Sequence, residues 1–195
     1  MPDNARFLWE FVRDPLHTAA VAPSSRGLAA AMTIDLPVHG EPNVVELGAG
    51  TGALTAAIQR TLAGRGRHIA FERHPRWAKL LQQRYPGVHV INADVADLTD
   101  VLTEHSITQA DAVVSGLPWA AYRAPLPAML AAALAPCGVL TQFAYTWSRW
   151  APPARAELAM LRQHFAQVDI SPTIWLNLPP AVVYRARRPI TAQPR

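Results

Sequence analysis

Val44-Val45-Glu46-Leu47-Gly48-Ala49-Gly50-Thr51-Gly52 is an apolar run that meets one acid and then breaks into three alternating glycines. Asn43 to Leu47 reads as a buried strand, and Ala53 to Leu62 spaces Ala, Leu and Ile as a helix packed on one face does. The join is therefore strand, glycine turn, helix. Glycine carries no Cβ and takes positive φ, so such a turn brings bare backbone close to a ligand. A dinucleotide fingerprint would space its glycines as G-x-G-x-x-G, with pyrophosphate on the helix N-terminus. Here the spacing is E-x-G-x-G-x-G, the turn has no lysine for phosphate, and Glu46 offers a carboxylate suited to an ammonium group.

With Glu46, Gly48, Gly50 and Gly52 in these places, the stretch resembles motif I of the Rossmann-like methyltransferases that use S-adenosylmethionine (SAM), a cationic amino acid joined to a nucleoside. Outward from it, strand and helix repeat. Arg67 to Glu72 is expected as a second strand, with Glu72 about twenty residues beyond Gly52, the distance at which a nucleotide fold brings a carboxylate to the ribose hydroxyls. A carboxylate accepts both hydrogen bonds of a diol. Pro75 to Tyr85 reads as a helix, and Val88 to Asn92 as a third strand followed by Asp94 and Val95. Asp94 is placed to accept from the adenine amino group, with Val95 as apolar neighbour of the ring; its bland alternative is a cap for a helix starting near Ala96.

Ala110 to Ser115 is the fourth strand, ending in Ser115-Gly116-Leu117-Pro118-Trp119. In a doubly wound sheet the ligand lies outside the carboxyl ends of the strands, so this loop is expected beside the cofactor's methyl group. Pro127 to Leu134 is helical, Pro136-Cys137-Gly138 turns, and Val139 to Tyr145 makes a fifth strand. Pro152 to His164 is a helix, and Val168 to Leu176 and Ala181 to Ala186 are the last strands, broken at Asn177-Leu178-Pro179-Pro180. The class is α/β: a Rossmann-like doubly wound sheet, mostly parallel with an antiparallel last strand, preceded by N-terminal helices.

The 195 residues suit one domain with a substantial core. Half are hydrophobic and 16% charged, a globular rather than disordered balance. The formal charge is +4 and the pI about 9.8. Seven arginines between Arg149 and Arg195 face only Glu157 and Asp169, which puts the basic excess in the last quarter, compatible with anionic partners. Cys137 is the lone cysteine, so no intrachain disulfide and no cysteine-based zinc site can form; a reducing cytoplasm fits, and no metal is expected. Charged residues within the first fourteen positions exclude the apolar core of a secretory signal. The uncharged run from Ala124 to Ser148 is interrupted by prolines, Gly138 and Gln142, and reads as a buried helix and strand rather than a membrane span. Ala5 to Arg13 spaces Phe7, Leu8, Phe11 and Val12 as a short amphipathic helix, and Ser24 or Ser25 caps a second helix with Leu28 to Met32 as its body.

Phe11-Val12-Arg13-Asp14-Pro15, Val21-Ala22-Pro23-Ser24-Ser25-Arg26, the glycine motif, Ser115-Gly116-Leu117-Pro118 and Asn177-Leu178-Pro179-Pro180-Ala181 together resemble the small, soluble bacterial phospholipid N-methyltransferases. The resemblance implies SAM-dependent methylation of phosphatidylethanolamine and its methylated forms to phosphatidylcholine, by a cytoplasmic enzyme peripheral on the inner face of the membrane. It implies that residues 1–40 form a helical lid over the cofactor that also meets the membrane, and that 41–195 form the methyltransferase domain. Ser24 and Ser25 join the cofactor-binding set of Glu46, Gly48, Gly50, Gly52, Glu72, Asp94, Val95 and Ser115. Ser115, Gly116, Leu117 and Tyr145 are the residues expected to carry catalysis: carbonyls and hydroxyl to align the amine, and Tyr145 with Trp119 and Trp147 as an aromatic wall for a methylammonium. Besides a methyltransferase for another small-molecule amine, two other classes stay in view. The first glycine motif is shared with ribosomal RNA adenine dimethyltransferases, but Ser115 stands where those enzymes carry Asn or Asp, which argues against nucleic acid. The other is a SAM-binding membrane protein without catalysis.

Overall fold

The computed structural model describes residues 24–117, 126–146 and 152–190. The helix expected over Ala5–Arg13, Trp119 and Trp147 lie outside the described residues. Seven strands form one sheet in the order β3-β2-β1-β4-β5-β7-β6. β1 (Asn43–Leu47) pairs in parallel with β2 (Arg67–Phe71) on one side and β4 (Ala110–Ser115) on the other; β3 (His89–Ile91) and β5 (Leu134–Tyr145) extend the parallel set. β7 (Ala181–Pro189) runs antiparallel between β5 and β6 (Phe165–Ile170), as the sequence predicts for the last strand.

Successive side chains of a strand face opposite ways, and the central strands β1 and β4 are covered on both faces, so they are mainly apolar. Val44, Val114 and Val183 pack beneath α1 (Arg26–Thr33) and α2 (Ala53–Leu62), against Leu28, Met32 and Ile58. Val45, Leu47 and Val113 pack on the other face with Leu98 of α4 (Leu98–Glu104), Leu130 of α5 (Leu126–Ala133) and Leu161 of α6 (Pro152–His164). α3 (Pro75–Arg84) covers the β2–β3 end through Ala78 and Leu81. α1 is built into the sheet's own core: Thr141 Oγ1 donates to the Met32 carbonyl at 2.9 Å.

Two elements differ from expectation. The turn at Pro136–Gly138 falls inside β5, because Ala110 pairs with Leu134 while Ala112 pairs with Val139. The surplus residues of β5 bulge out, leaving Pro136 and Cys137 exposed. β6 spans Phe165–Ile170 rather than 168–176. Pro172 lacks the N–H a ladder needs, and after it only Ile174 bridges Ala181. Residues 171–180 are therefore a long connection at the carboxyl edge of the parallel strands, containing the cis bond Leu178–Pro179.

Candidate active site

The glycine turn follows β1 at the carboxyl edge. Gly48, Gly50 and Gly52 have φ of 71°, 53° and 86°, a region other residues enter only under strain. The N–H groups of Gly48 and Ala49 both donate to the Phe71 carbonyl, at 2.9 and 3.2 Å, which locks the turn to the end of β2. One residue on, Glu72 closes the turn from the side. Its Oε2 accepts from Gly50 N at 2.8 Å and its Oε1 from His74 N at 2.7 Å. The residue is nearly buried, 9% exposed. Each oxygen has a second acceptor direction beyond the N–H it already takes, the capacity a ribose diol requires. Asn92 steadies the same corner, donating from Nδ2 to the carbonyls of Glu72 and Arg73 at 2.9 Å each.

Asp94 does what its bland alternative foresaw: Oδ1 accepts from Ala96 N at 3.0 Å and caps the 3-10 turn Val95–Asp97. Oδ2 lies 3.7 Å from the Arg73 guanidinium and stays part-exposed, while Val95 is buried in the core. Ser25, rather than Ser24, caps α1, its Oγ accepting from Leu28 N at 3.1 Å. Its own N–H donates to Asn177 Oδ1 at 3.0 Å, which brings the start of α1 to the connection after β6.

Glu46 is placed differently from the ammonium ligand anticipated. It is completely buried, and its two oxygens accept from Thr55 Oγ1 at 3.0 and 2.8 Å. His68 Nε2 lies 3.0 Å from Oε2, and His68 Nδ1 lies 3.0 Å from Gln59 Nε2. Thr55 and Gln59 stand four apart on α2 and His68 stands on β2, so the carboxylate fastens helix and strand together beneath the glycine turn.

The loop after β4 lies against that turn. Gly116 N donates to the Leu47 carbonyl at 2.8 Å, and a Cβ on Gly116 would stand 3.1 Å from the Gly48 carbonyl oxygen. Ser115 is fully buried, and its Oγ accepts from Leu117 N at 3.4 Å. The Leu117 carbonyl, expected to help align the acceptor amine, already accepts from Gln142 Nε2 at 2.9 Å. Sequence reading passed over Gln142 as an interruption of an apolar run. It stands in register with Ser115 across β4 and β5, bonds two carbonyls through Nε2, and keeps a buried Oε1 without a partner.

Tyr145 ends β5 with its ring against Phe143, centroids 5.3 Å apart and planes at 74°. Burial pushes its phenol up to about 12, so at neutral pH it is an O–H donor and an aromatic face, never a base. Glu157 on α6 was also passed over. Burial pushes its carboxyl up to about 7, and its Oε1 is buried without a partner. Among the described residues no group of His, Cys, Asp or Glu is arranged to hold a metal ion.

The fold has many counterparts. An O-methyltransferase of Thermotoga maritima superposes with a TM-score of 0.65 at 14% identity, covering 95% of this chain and 73% of that one. Precorrin-6y C5,15-methyltransferase of Geobacter metallireducens gives 0.62 at 15%, covering 84% and 89%. Aeropyrum pernix fibrillarin, solved with natively bound SAM, gives 0.60 at 17%, covering 82% and 74%. No family model matches the sequence. A whole-length relative does: ornithine lipid N-methyltransferase of Singulisphaera acidiphila is 34% identical, covering 96% of this chain and 97% of its own. The open parallel sheet, the glycine turn clasped by Glu72 and this full-length similarity lead to one assignment: the chain belongs to the SAM-dependent lipid N-methyltransferases of the Rossmann-like class.

Proposed function

We propose that the enzyme methylates the amine of ornithine lipid, as a peripheral protein on the cytoplasmic face of the membrane. The full-length similarity to the Singulisphaera enzyme carries this reading. Phosphatidylethanolamine, methylated stepwise to phosphatidylcholine, is the second acceptor; the Pro-Ser-Ser-Arg, Ser-Gly-Leu-Pro and Asn-Leu-Pro-Pro-Ala segments favour it.

SAM supplies a sulfonium-activated methyl group, so the protein's share is binding, alignment and exclusion of water. Gly48, Gly50 and Gly52 give the close backbone approach, and Glu72 presents its two oxygens to the ribose. Asp94 retains Oδ2 for the adenine amino group beside Val95, and Ser24 and Ser25 close the site from α1. Glu46 acts from below by fixing the turn. On the acceptor side, Ser115, Gly116 and Leu117 orient the amine through hydroxyl and carbonyls, and Gln142 holds the Leu117 carbonyl in place. Tyr145 offers a neutral ring to a growing methylammonium, a contact worth about 0.5–2 kcal/mol. The amine must lose its proton before transfer, and water takes it.

Purified protein given labelled SAM and vesicles of ornithine lipid, phosphatidylethanolamine or neither, resolved by thin-layer chromatography, tests the assignment. Label in ornithine lipid is expected. Label confined to phosphatidylethanolamine would replace the first acceptor by the second. Label in ribosomal RNA, or SAM binding with no acceptor labelled, would overturn both.

A further inference from the structure

The connection from Ser171 to Pro180 carries no charged residue, and three of its large apolar side chains stand in water. Trp175 is 75% exposed, Leu176 92% and Leu178 82%. They are not presented by a loose loop. Asn177, between them, is buried; its Oδ1 accepts from Ser25 N, its Nδ2 donates to the Pro179 carbonyl at 2.7 Å, and its N–H donates to the Ile174 carbonyl at 3.3 Å. Ile174 is bonded to Ala181 at 2.8 Å, and the Pro180 carbonyl takes both the N–H and the hydroxyl of Thr146, at 2.9 and 3.0 Å. The fold thus holds the backbone of this segment while turning its apolar side chains outward, where soluble proteins keep such patches only for a partner.

The patch lies where a lipid acceptor must enter. Thr146 follows the last residue of β5 at the carboxyl edge, and Ser25 starts α1, so the segment is tied to two elements that border the site. A lipid whose acyl chains stay in the bilayer can deliver its amine only if the bilayer meets the protein at that edge. Tryptophan followed by two exposed leucines is the composition of an interfacial anchor, and exposed Arg26, next to Ser25, adds a cation beside it. We propose that Trp175, Leu176 and Leu178 form the surface by which the enzyme seats on a lipid bilayer, entering the boundary between headgroups and acyl chains beside the mouth of the site. This rests on the reading that the acceptor is a bilayer lipid.

The test uses the full chain and vesicles of phosphatidylcholine and phosphatidylglycerol, which contain no acceptor amine. The variant Trp175→Ser/Leu176→Ser/Leu178→Ser is expected to sediment with vesicles at least about tenfold more weakly than the parent, since it loses most of the buried apolar area. Its SAM affinity should be unchanged, and it should still methylate a short-chain acceptor kept below its micelle concentration. In parallel, a polarity-sensitive dye on Leu176→Cys, in a Cys137→Ser background, should report water without vesicles and an apolar medium with them. Equal vesicle binding by parent and triple variant would overturn the proposal. So would a dye already shielded without vesicles, which would show the patch covered by residues 1–23 or by a second copy of the chain. Vesicle engagement through the patch with no lipid methylated would support the docking surface and sink the acceptor reading instead; methylation of the monomeric acceptor without engagement would do the reverse.

Discussion

Gly48→Ala probes the contact between the glycine turn and the loop after β4, the two loops of the proposed site. Gly48 has φ of 71°, and a Cβ built there would stand 2.5 Å from Leu117 Cδ2 and 3.2 Å from Leu117 Cγ. The left-handed backbone costs an L-residue about 1–2 kcal/mol. Leu117 is only 9% exposed, so its side chain must repack among its neighbours, which adds up to about 1–3 kcal/mol of overpacking. The variant should therefore lose about 2–5 kcal/mol in urea unfolding, and bind SAM more weakly because the turn and the Ser115–Leu117 loop are pushed apart. Leu117→Ala alone should cost about 2–4 kcal/mol by leaving a cavity. In the double variant the new methyl meets nothing at Leu117, so the backbone strain and the cavity remain but the overpacking is gone. Its stability should exceed the sum of the single effects by about 1–3 kcal/mol, with SAM affinity partly restored over Gly48→Ala. If the four proteins give additive stabilities within about 0.5 kcal/mol, the two loops are not in the contact described and the reasoning fails.

Glu72→Gln turns one carboxylate oxygen into an amide nitrogen that faces an N–H donor, Gly50 or His74. It should cost about 1–3 kcal/mol in thermal unfolding and weaken SAM binding by calorimetry more than tenfold; an unchanged affinity would remove Glu72 from the cofactor site. Glu157→Gln should behave oppositely. The folded carboxyl titrates at about 7 against an ordinary value of 4.5, so native protein holds its proton longer than unfolded protein does. The parent's stability therefore falls as pH rises from about 4.5 to about 7, a difference worth about 3 kcal/mol. Urea unfolding should find the variant more stable by up to about 3 kcal/mol at pH 8, and by less than about 0.5 kcal/mol at pH 4.5. A gain independent of pH would show that Glu157 is not held neutral by burial.

The centre of the sheet was legible because β1, β2 and β4 are largely buried and mainly apolar, each one closed by glycine or an acid. The stretch that misled was Val168 to Leu176. Its β-branched and aromatic residues have strand composition, yet Ser171 ends the pairing by exchanging bonds with Val183, its N–H donating to the Val183 carbonyl and its Oγ accepting from Val183 N, both at 2.9 Å. Beyond Pro172, Trp175 and Leu176 face water. Composition says that a residue prefers burial; it does not say that the fold has anything to bury it against.

The acids teach the companion lesson. Glu46 and Glu72 both stand at the carboxyl ends of adjacent parallel strands, and spacing assigned both to the ligand. Glu72 lies one residue past β2, at the open edge, where the glycine turn comes to it. Glu46 lies inside β1, one residue before the end, and strand alternation puts it on the same face as Val44, beneath α2. That much could have been read from the period of two, and so could Thr55 and Gln59, four apart on the helix that follows. What the sequence could not supply was His68, which reaches Glu46 from the neighbouring strand and completes the enclosure. A carboxyl group so enclosed is tied to its partners, since removing one leaves a buried polar group unpaired at a cost of about 1–3 kcal/mol. Glu46 thus fastens helix and strand beneath the turn, while Glu72 holds the turn from the side; on the function proposed above, the first acid supports the cofactor's seat and the second touches the cofactor.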